Sequence, residues 1–555
     1  MTAELFRIDA LARFVGLFVA VFTVLVVLYS LGYNRGRRYG FRYYLYLFLT
    51  FLCGEALVFA DNLLLFICLW GFLGLLLFLL IGIERTEAAA AAAKKAFILI
   101  GATDALMLLG FALWLQGRPE MRFWEAELSG FRMSADGGAG VITFLCFLAA
   151  ALAKAGAMPI HSWVPDTAQT APIPVTAYLP ASLDKLFGIY FTARLLLEMF
   201  ALPPWIFTLL MAVGSFTIVA AVAMALIQHD LRRLLGYHAV SQVGYMVLGL
   251  GTGTLVGAAG GLFHMLNHAI YKSCLFLCGG AVEKQAGTSE LDRLGGLAGR
   301  MPWTFGTFLV AALAISGIPP LNGFASKWLV YQGVLAAGKS GQESWFLWLA
   351  AAMFGTALTL ASFMKLAHAV FLGRSGLSDT RLAKVQEVGW SMRGPALVLA
   401  ALCVLFGIFA AAGPLAWWIE PALPGEVSLI GVWSPGSATL LLAAAVVVGF
   451  LIYAWTAFPR LREVEPFVGG EYLRDYPEMR ISGVDFYRTV QRLPLVSRIY
   501  GWAEQGWFDL YELGRRGVLA VSRGLGVLHS GLLPRYVSWC LAGVLLLLLY
   551  FRSAP

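Results

Sequence analysis

The amino-acid sequence predicts an all-α polytopic membrane protein with about 14 transmembrane helices, from its composition, its long apolar runs and the placement of its charges. Of the 555 residues, 60% are hydrophobic and 13% are charged, whereas soluble domains carry about a quarter charged residues. Apolar runs of about 18 or more residues, which are long enough to cross a membrane, recur along the chain. The predicted spans are 11–31, 42–60, 63–83, 95–116, 140–160, 174–198, 205–228, 238–252, 258–281, 303–333, 344–372, 394–413, 437–457 and 536–551.

The net charge of +8 is distributed as in a membrane protein rather than as in a nucleic-acid-binding protein. Basic residues are concentrated in alternate loops, such as 33–43 and the loop with Arg232 and Arg233, whereas the 414–436 loop carries acids. This alternation follows the positive-inside rule. It predicts a multi-pass protein of a bacterial-type inner (cytoplasmic) membrane, with the 33–43 loop in the cytoplasm and both termini on the outer side.

Two apolar helices are predicted to be broken close to a lysine. Pro159 follows Lys154 in ALAKAGAMPIHSWVPD, and Pro319 and Pro320 precede Lys327 in ALAISGIPPLNGFASKWLVY. Unwound backbone at membrane depth is tolerated only where it is buried in protein or lines a wet cavity. Two such breaks at corresponding places in two halves indicate paired inverted repeats with an ion path near the breaks. The alternative is that these prolines only kink the helices.

Ionisable residues inside the predicted spans indicate a path for protons. A lysine at the bilayer centre is costly to place there and is a functional hypothesis by default. Because its charge depends on whether a carboxylate lies beside it, Lys154 can load and release a proton as such a partner approaches or withdraws. The other candidates are Asp184, Lys185, His264, His268, Lys272 and Lys327, with Glu55, Asp104 and Lys365 as possible accessory groups. The two histidines and Lys272 recur at i, i+4 and i+8, so they share one helical face.

Several of these residues also have a structural interpretation. The HxxxH pair could bind zinc, although no third ligand is near in the sequence, or both histidines could be satisfied core residues. Asp184 and Lys185 could form a structural ion pair. Lys365 could extend to the membrane surface, and Glu55 could hydrogen-bond to a neighbouring helix.

The chain changes character after its main apolar bundle, which is predicted to comprise residues 1–457. Residues 458–484 are predicted to be a polar cytoplasmic linker. Residues 485–535 alternate charged and apolar side chains with helical spacing, which predicts an amphipathic lateral helix at the membrane interface. About 36 residues of such a helix would extend roughly 55 Å. Residues 536–555 are predicted to be a transmembrane anchor.

Six stretches of the sequence carry a resemblance to a known family. They are ADNLLLFICLWGFLGLLLFLLIGI (60–83), KAFILIGATDALMLLGFALWL (95–115), KAGAMPIHSWVPDTAQTAPIPVTA (154–177), AVSQVGYMVLGLG (239–251), FHMLNHAIYKSCLFLCGG (263–280) and SGIPPLNGFASKWLV (316–330). In these stretches the chain resembles the antiporter-like, proton-translocating membrane subunits of respiratory complex I, membrane-bound hydrogenases and Mrp-type Na+/H+ antiporters. It looks most similar to the distal, largest complex I type, and the resemblance covers nearly the whole chain.

The resemblance implies roles for individual residues. Lys154 matches the family's central lysine on the first broken helix, and Lys327 matches the lysine on the second that exchanges protons with the outer side. His264 and His268 match the middle histidines, with Lys272 one turn further. The implied fold, two inverted five-helix repeats, agrees with the two breaks, and the C-terminal amphipathic segment is similar to the lateral arm of the distal subunit.

The chain departs from the family pattern at two positions. Where the family usually has a glutamate that partners the central lysine, this chain has Gly71. Asp184 or Glu55 could replace that carboxylate, and Asp104 falls on an acidic position of the family. Where the complex I type usually has a histidine after the first break, Pro180 stands.

The sequence therefore predicts a proton-translocating subunit of a complex I-related membrane oxidoreductase of the quinone or hydrogenase type. No cofactor motif occurs in the chain, so iron–sulfur clusters and quinone or nickel–iron are expected in partner subunits. The expected partners are other membrane and peripheral subunits and the lipid bilayer, without nucleic acid. The expected proton path from the cytoplasm follows Lys154, Asp184, Lys185, His268, His264, Lys272 and Lys327.

Two other functions remain open at the level of sequence. The chain could be the proton-conducting membrane subunit of an energy-coupled inorganic-carbon uptake complex with a soluble zinc-containing partner. It could also be a scaffold that has lost pumping, which would be consistent with Gly71.

Overall fold

The structure is a computed structural model that describes residues 5–37, 39–116, 128, 132–135, 137–430, 435–455, 483–485, 487–529 and 531–553. The chain divides into two compact units, Met1–Ser497 and Arg498–Pro555. Helices dominate both units, and one short parallel strand pair joins β1 (Met133–Ser134) to β2 (Phe200–Ala201).

The helices follow one another with short connections over most of the chain. They are α1 (Ala10–Tyr33), α2 (Gly40–Phe59), α3 (Leu63–Ile81), α4 (Glu87–Gln116), α5 (Gly138–Ala155), α6 (Trp163–Thr170), α7 (Ile173–Tyr178), α8 (Asp184–Arg194), α9 (Pro204–Leu226), α10 (Leu231–Gly251), α11 (Leu255–Ala286), α12 (Pro302–Ser316), α13 (Asn322–Lys339), α14 (Trp345–Ala367), α15 (Asp379–Leu382), α16 (Trp390–Ile408), α17 (Pro435–Trp455), α18 (Arg488–Gln491), α19 (Pro494–Glu504), α20 (Leu510–Leu528) and α21 (Leu533–Ser553). A π-helical turn, Leu179–Leu183, joins α7 to α8 without a break.

Nine helices within the described ranges are long and apolar enough to cross a membrane. Two further apolar helical segments, Pro302–Ser316 and Thr439–Ile452, are shorter. Together with the exposed apolar side chains along α2, α4, α14 and α21, these lengths confirm the predicted class, an all-α multi-pass membrane protein.

The centre of the first unit is formed by α8, α10 and α11. Every residue of α8 is buried, and every residue of α10 except Arg233 is buried. Glycines allow these helices to approach closely, because a Cβ on Gly214 of α9 would lie 2.7 Å from the carbonyl oxygen of Gly244 on α10. Membrane helices that cannot rely on the hydrophobic effect associate through such small residues. The polar residues of α8, α10 and α11 are therefore held in a tightly packed interior.

Both predicted helix breaks are present, but glycines rather than prolines end the helices. Helix α5 ends before Gly156 (φ +79°) and α12 ends before Gly317 (φ +75°). Only glycine adopts this left-handed conformation readily, which makes it the usual residue after a helix C-terminus. Pro159, Pro319 and Pro320 lie in the connections that follow.

The predicted single lateral helix is wrong in one respect, because the structure divides it into α19 and α20. Gly506 adopts a left-handed φ of +78° between them, and the Asp509 side chain accepts a hydrogen bond from the N–H of Tyr511 to begin α20. A glycine stop followed by an aspartate cap ends one helix and starts the next. Of the predicted linker 458–484, residues 458–482 lie outside the described residues, so the predicted domain boundaries stay predictions.

Candidate functional site

The two breaks share one hydrogen-bond pattern. In the first, the N–H of Ala157 donates to the carbonyl oxygen of Leu152 at 2.9 Å. In the second, the N–H of Ile318 donates to the carbonyl oxygen of Leu313 at 3.1 Å. A bond across five residues around a left-handed glycine is the Schellman cap. Each cap leaves other last-turn carbonyls, the negative end of a helix dipole, free to face a cation inside the bundle.

A lysine lies close in sequence or in space to each break. Lys154 is two residues before Gly156, and the corresponding residue two before Gly317 is Ile315. The Nζ atom of Lys327, which approaches from the other side of the second break, donates to the carbonyl oxygen of Ile315 at 2.9 Å. Lys154 thus precedes its break in the chain and bonds to α3, whereas Lys327 follows its break and bonds back to the last turn of α12.

Of the carboxylates, Asp104 has the largest electrostatic effect on Lys154. The Lys154 Nζ donates to the carbonyl oxygen of Trp70 at 3.1 Å and lies 4.4 Å from the centre of its ring. The Trp70 Nε1 in turn donates to Asp104 Oδ1 at 2.9 Å. Asp104 and then Asp184 are the carboxylates whose charges act on Lys154. A Cβ at Gly71 would meet no atom within 4 Å, so that position opens away from the packed interior.

Asp184 and Lys185 bring charge to the first break. Both side chains are buried, and Lys185 Nζ lies 3.0 Å from where a Cβ on Gly156 would be and 5.5 Å from the centre of the Trp163 ring. Lys185 Nζ and Asp184 Oδ2 have no hydrogen-bond partner among the described residues. Adjacent residues on a helix point in different directions, so the structural ion pair considered above does not form between these atoms.

Helix α11 presents its row of basic residues to α10 and α13. His264 contacts Ser326 Oγ at 2.9 Å through Nδ1, and Gln242 Oε1 and the Tyr271 hydroxyl at 3.2 Å through Nε2. His268, one turn on, is fully buried, and neither ring nitrogen has a partner among the described residues. The row thus contains a histidine that is fully bonded next to one that is not.

The remaining two lysines are bound by a carbonyl oxygen and by aromatic rings. Lys272 Nζ donates to the carbonyl oxygen of Leu235 at 3.1 Å and lies 5.6 Å from the centre of the Phe363 ring. Lys327 Nζ lies 4.7 Å from the centre of the Tyr245 ring. The face of an aromatic ring attracts a cation and excludes water from it, but it does not hold the proton of an ammonium group as a carboxylate would.

The predicted residues form one connected row through the first unit. Each charged or titratable group acts electrostatically on the next. The successive pairs are Asp104 with Lys154, Lys154 with Asp184, Asp184 with Lys185, Lys185 with His268, His268 with Lys272 and His264, and His264 with Lys327. The sequence-predicted set is therefore brought together from five separate helices.

Two accessory candidates lie apart from this row. Lys365 Nζ donates to the carbonyl oxygens of Leu226 and Gln228 at 2.8 and 3.1 Å, where it caps the end of α9. Glu55 is half-buried on α2, where its Oε2 lies 2.9 Å from the position of a Cβ on Gly16. Its Oε1 has no hydrogen-bond partner within the described part of the chain.

Sequence analysis missed the polar face of α10. His238, Gln242 and Tyr245 are all fully buried and recur at i, i+4 and i+7 along α10. That spacing places them on one face, and buried polar residues at membrane depth are a functional signal. His238 also contacts Ser362 on α14, with Nε2 2.7 Å from Oγ.

A zinc site at the HxxxH pair has no structural support. Among the described residues, no group of three or more histidine, cysteine, aspartate or glutamate side chains is placed to hold a metal ion. Both ring nitrogens of His264 are already engaged by Ser326, Gln242 and Tyr271.

Known relatives share both sequence and architecture with this chain. Hydrogenase-4 component B of Escherichia coli (strain K12) is 32% identical over 75% of this chain and 63% of that protein. F(420)H(2) dehydrogenase subunit L of Methanosarcina mazei is 31% identical over 79% of this chain and 68% of that protein. NADH-quinone oxidoreductase subunit L of Rickettsia typhi is 30% identical over 71% of this chain and 59% of that protein. The chain thus spans between 59% and 68% of the length of these relatives.

Solved structures show the same fold, and the sequence shows the family. A chain in the structure of the membrane-bound sulfane sulfur reductase (MBS), an archaeal respiratory membrane complex, superposes with a TM-score of 0.79 at 24% identity over 98% of this chain and 89% of its own. A chain of the Mrp complex from Dietzia sp. DQ12-45-1b superposes with a TM-score of 0.67 at 22% identity over 75% of this chain and 83% of its own. The family described as NADH:quinone oxidoreductase/Mrp antiporter, TM, matches residues 60–359. The chain therefore belongs to the NADH:quinone oxidoreductase/Mrp antiporter transmembrane family.

Proposed function

We propose that this chain is a proton-translocating, antiporter-like membrane subunit of a complex I-related oxidoreductase, of the quinone or hydrogenase type. Relatives named as components of hydrogenase-4, F(420)H(2) dehydrogenase and NADH-quinone oxidoreductase support this function. In this proposal the chain itself moves protons, and redox reactions in partner subunits supply the energy.

The observation that carries the proposal is the connected row of buried ionisable groups. Placing one lysine at membrane depth costs several kcal/mol, and this row holds four, at Lys154, Lys185, Lys272 and Lys327. Structural stability alone does not account for such an arrangement, because apolar side chains of similar volume would serve better. A row in which each charge shifts the proton affinity of the next group is suited to passing protons.

The proposed path begins on the cytoplasmic side at Lys154 and ends on the outer side at Lys327. When Asp184 or Asp104 approaches Lys154, the ammonium form is favoured, and when it withdraws, the proton leaves. Buried polar atoms without partners among the described residues, such as Lys185 Nζ and both His268 nitrogens, are sites where water can complete the connection. The protons would then pass along His268, His264 and Lys272.

The proposed topology has about 14 transmembrane helices and two inverted five-helix repeats, α2 to α8 and α9 to α14. In each set the fourth membrane crossing is the broken one, and both breaks have the same cap at Gly156 and Gly317. The positive-inside rule supports an inner-membrane location with both ends of this chain on the outer side.

The proposed partners are other membrane and peripheral subunits that contain iron–sulfur clusters and either quinone or nickel–iron. The amphipathic helices α19 and α20 would lie at the membrane interface and contact neighbouring membrane subunits. On α20, Leu510, Leu513 and Val521 share one face, and Glu512 is on the other.

Co-purification tests the identity of the complex. The tagged full-length chain is extracted from its native membrane in a mild detergent, and the proteins bound to it are identified by mass spectrometry. Subunits with iron–sulfur, quinone-site or nickel–iron motifs would support a redox-driven pump. Recovery of one soluble zinc protein without redox subunits would contradict it and favour a role in inorganic-carbon uptake.

A further inference from the structure

A buried histidine outside the predicted path connects α10 to α14. His238 is fully buried, and its Nε2 lies 2.7 Å from the Ser362 hydroxyl. Its Nδ1 has no hydrogen-bond partner among the described residues. A histidine with a purely structural role normally has both nitrogens satisfied, since an unpaired buried polar atom destabilises the fold. One bonded and one open nitrogen is instead the arrangement of a group that takes a proton on one side and passes it on the other.

Towards the centre of the bundle, His238 and Lys272 lie beside the same aromatic ring. The His238 ring centre is 4.8 Å from the Phe363 ring centre, and Lys272 Nζ is 5.6 Å from that same centre. Lys272 Nζ also bonds to the carbonyl oxygen of Leu235, one helical turn before His238. The charge of Lys272 acts on His238. His238 and Lys272 therefore lie against the same Phe363 ring, and the charge of one acts on the other.

On the side of His238 that faces away from the bundle centre, Ser362 leads towards the connection between α9 and α10. Lys365 follows Ser362 by three residues, so the two side chains share a face of α14. The Lys365 Nζ bonds to the carbonyl oxygens of Leu226 and Gln228 in that connection. The next residue, His229, pairs with Asp292 at 2.8 Å, and both of these side chains are about half exposed.

We propose that Lys365, Ser362 and His238 form a second cytoplasmic proton inlet that supplies Lys272 directly, with the His229–Asp292 pair at its mouth. This inlet rests on the proposed proton-translocating function and adds to it an entry point in the second repeat that acts in series with Lys154. The charge that arrives along the row from Lys154 drives the proton on Lys272 towards Lys327, and the inlet then recharges Lys272, so flux requires both entry points. The five groups follow one another from a half-exposed ion pair to the centre of the bundle.

Each transfer in the inlet moves one proton between named atoms. The Ser362 hydroxyl gives its proton to His238 Nε2 while Nδ1 releases a proton to the neutral amine of Lys272. The Ser362 oxygen then takes a proton from the Lys365 ammonium through an intervening water, and Lys365 is recharged from the surface pair. His238, left with its proton on Nε2, returns to its starting arrangement when the ring rotates by half a turn. The sum over the cycle is one proton taken from the cytoplasm and one added to Lys272.

The experiment measures proton flux through the intact complex that contains the full-length chain. The complex is reconstituted in liposomes with an entrapped pH dye, and a potassium gradient with valinomycin imposes a membrane potential. His238→Gln keeps an amide within reach of Ser362 but cannot carry a proton, so flux should fall by at least about tenfold. Ser362→Val should reduce flux similarly. Ser362→Thr introduces a side chain of nearly the same shape as valine but retains the hydroxyl, so it should conduct like wild type.

The variants separate failure of the inlet from failure of the proposed function. Wild-type flux that persists in His238→Gln and Ser362→Val would overturn the inlet and leave the proposed function standing. An absence of potential-driven flux in the wild-type complex would overturn both. If His238→Gln lowers the thermal unfolding midpoint, the comparison of Ser362→Thr with Ser362→Val decides, because equal loss in both would assign Ser362 a packing role and overturn the inlet.

Discussion

Three lysines at membrane depth share the same kind of partner, a backbone carbonyl oxygen. Lys154 bonds to Trp70, Lys272 to Leu235 and Lys327 to Ile315, at 2.9 to 3.1 Å. Within the described residues no carboxylate forms an ion pair with any of them. A carbonyl dipole partly replaces the lost hydration of an ammonium group but does not hold the proton as a carboxylate in contact would. These lysines can therefore exchange protons when a nearby charge changes.

Replacing Asp104 should reveal the carboxylate that substitutes for the glutamate missing at position 71. Asp104→Asn retains an oxygen to accept the bond from Trp70 Nε1 but removes the charge that acts on Lys154. We expect proton flux in liposomes to fall by about tenfold or more. Asp379→Asn, at an exposed acid on α15, is the control and should leave flux unchanged. Full flux in Asp104→Asn would show that another group controls Lys154.

The stability of the N-terminal end of α1 should depend on acid pH through Asp9. Burial alone would raise the pKa of Asp9, but the hydrogen bond and charge of Arg194, at 2.8 Å, lower it below the ordinary value. A lowered folded-state pKa contributes stability at neutral pH that is lost as the pH falls through that pKa, below about pH 4. Asp9→Asn, which can still cap α1, should destabilise the protein on the order of 1 kcal/mol at pH 7 and by less at pH 3, which lies below the unfolded-state pKa. Thermal unfolding in detergent at the two pH values measures this, and an equal effect at both would exclude the ion pair as the cause.

Single residues were predictable from sequence where their chemistry alone is unusual for a membrane. Lys154, His268, Lys272 and Lys327 are ionisable groups in apolar runs, and that is sufficient to single them out. The partnership of Asp104 with Lys154 was not predictable, because it depends on how α3, α4 and α5 pack around the Trp70 ring. His238 was missed since it lies near the end of a predicted span, although its spacing with Gln242 was a usable signal.

At the level of helices, the close packing of α8 against α5 positions the first half of the row. A Cβ on Gly188 would lie 2.6 Å from both the carbonyl oxygen of Ala151 and the nitrogen of Ala155. The absence of a side chain at Gly188 thus brings Asp184, one turn earlier on α8, close enough for its charge to act on Lys154. The proline content indicated that both helices break, whereas the exact end points depend on glycines in a left-handed conformation.

A methyl group at Gly188 should disrupt this packing. Gly188→Ala is expected to destabilise the protein by about 1–3 kcal/mol, as overpacking does, and to lower proton flux by separating α8 from α5. Gly101→Ala is the matched control, because a Cβ there meets no atom within 4 Å and alanine favours a helix by up to about 1 kcal/mol. Thermal unfolding of the two variants makes the comparison. Equal stability of Gly188→Ala and Gly101→Ala would contradict this account of the α5–α8 contact.

The amphipathic C-terminal segment was predictable as helical but not as two helices. The apolar period continues across residues 505–509, so it gives no sign of a boundary. The stop is a local backbone effect of Gly506 and the start is a capping effect of Asp509. On the polar face of α20, Arg515 and Arg516 bond to Glu512 at 2.6 and 3.0 Å and lower the pKa of this carboxyl to about 2. Glu512 therefore stays charged over the physiological pH range.

For the whole molecule, the apolar face of α20 should hold partner subunits. Val521 is an exposed residue on that face, while Leu519 lies on the opposite, charged face. Val521→Glu should weaken association with partner subunits by on the order of tenfold, or about 1.4 kcal/mol, and Leu519→Glu should not. Quantitative mass spectrometry of the proteins that co-purify with each variant measures the difference. Equal recovery of partners with both variants would remove α20 from the interface.

Membrane class and fold could be predicted for the whole molecule because hydropathy, charge alternation and the paired helix breaks are all visible in the amino-acid sequence. The connected order of the row could not, since it depends on bringing α4, α5, α8, α11 and α13 together in space. A resemblance to a family supplied the expected order, and the electrostatic interactions from Asp104 to Lys327 supply its physical basis.

Proton flux through the intact complex, compared between wild type and Lys154→Ala, tests the central claim most directly. An imposed membrane potential should drive a pH change in wild-type liposomes and in those with Lys384→Ala, a control at an exposed lysine. Lys154→Ala should lose the flux, by about a hundredfold, while the same partner subunits still co-purify. Unchanged flux in Lys154→Ala, with assembly intact, would contradict the claim that the buried row carries protons.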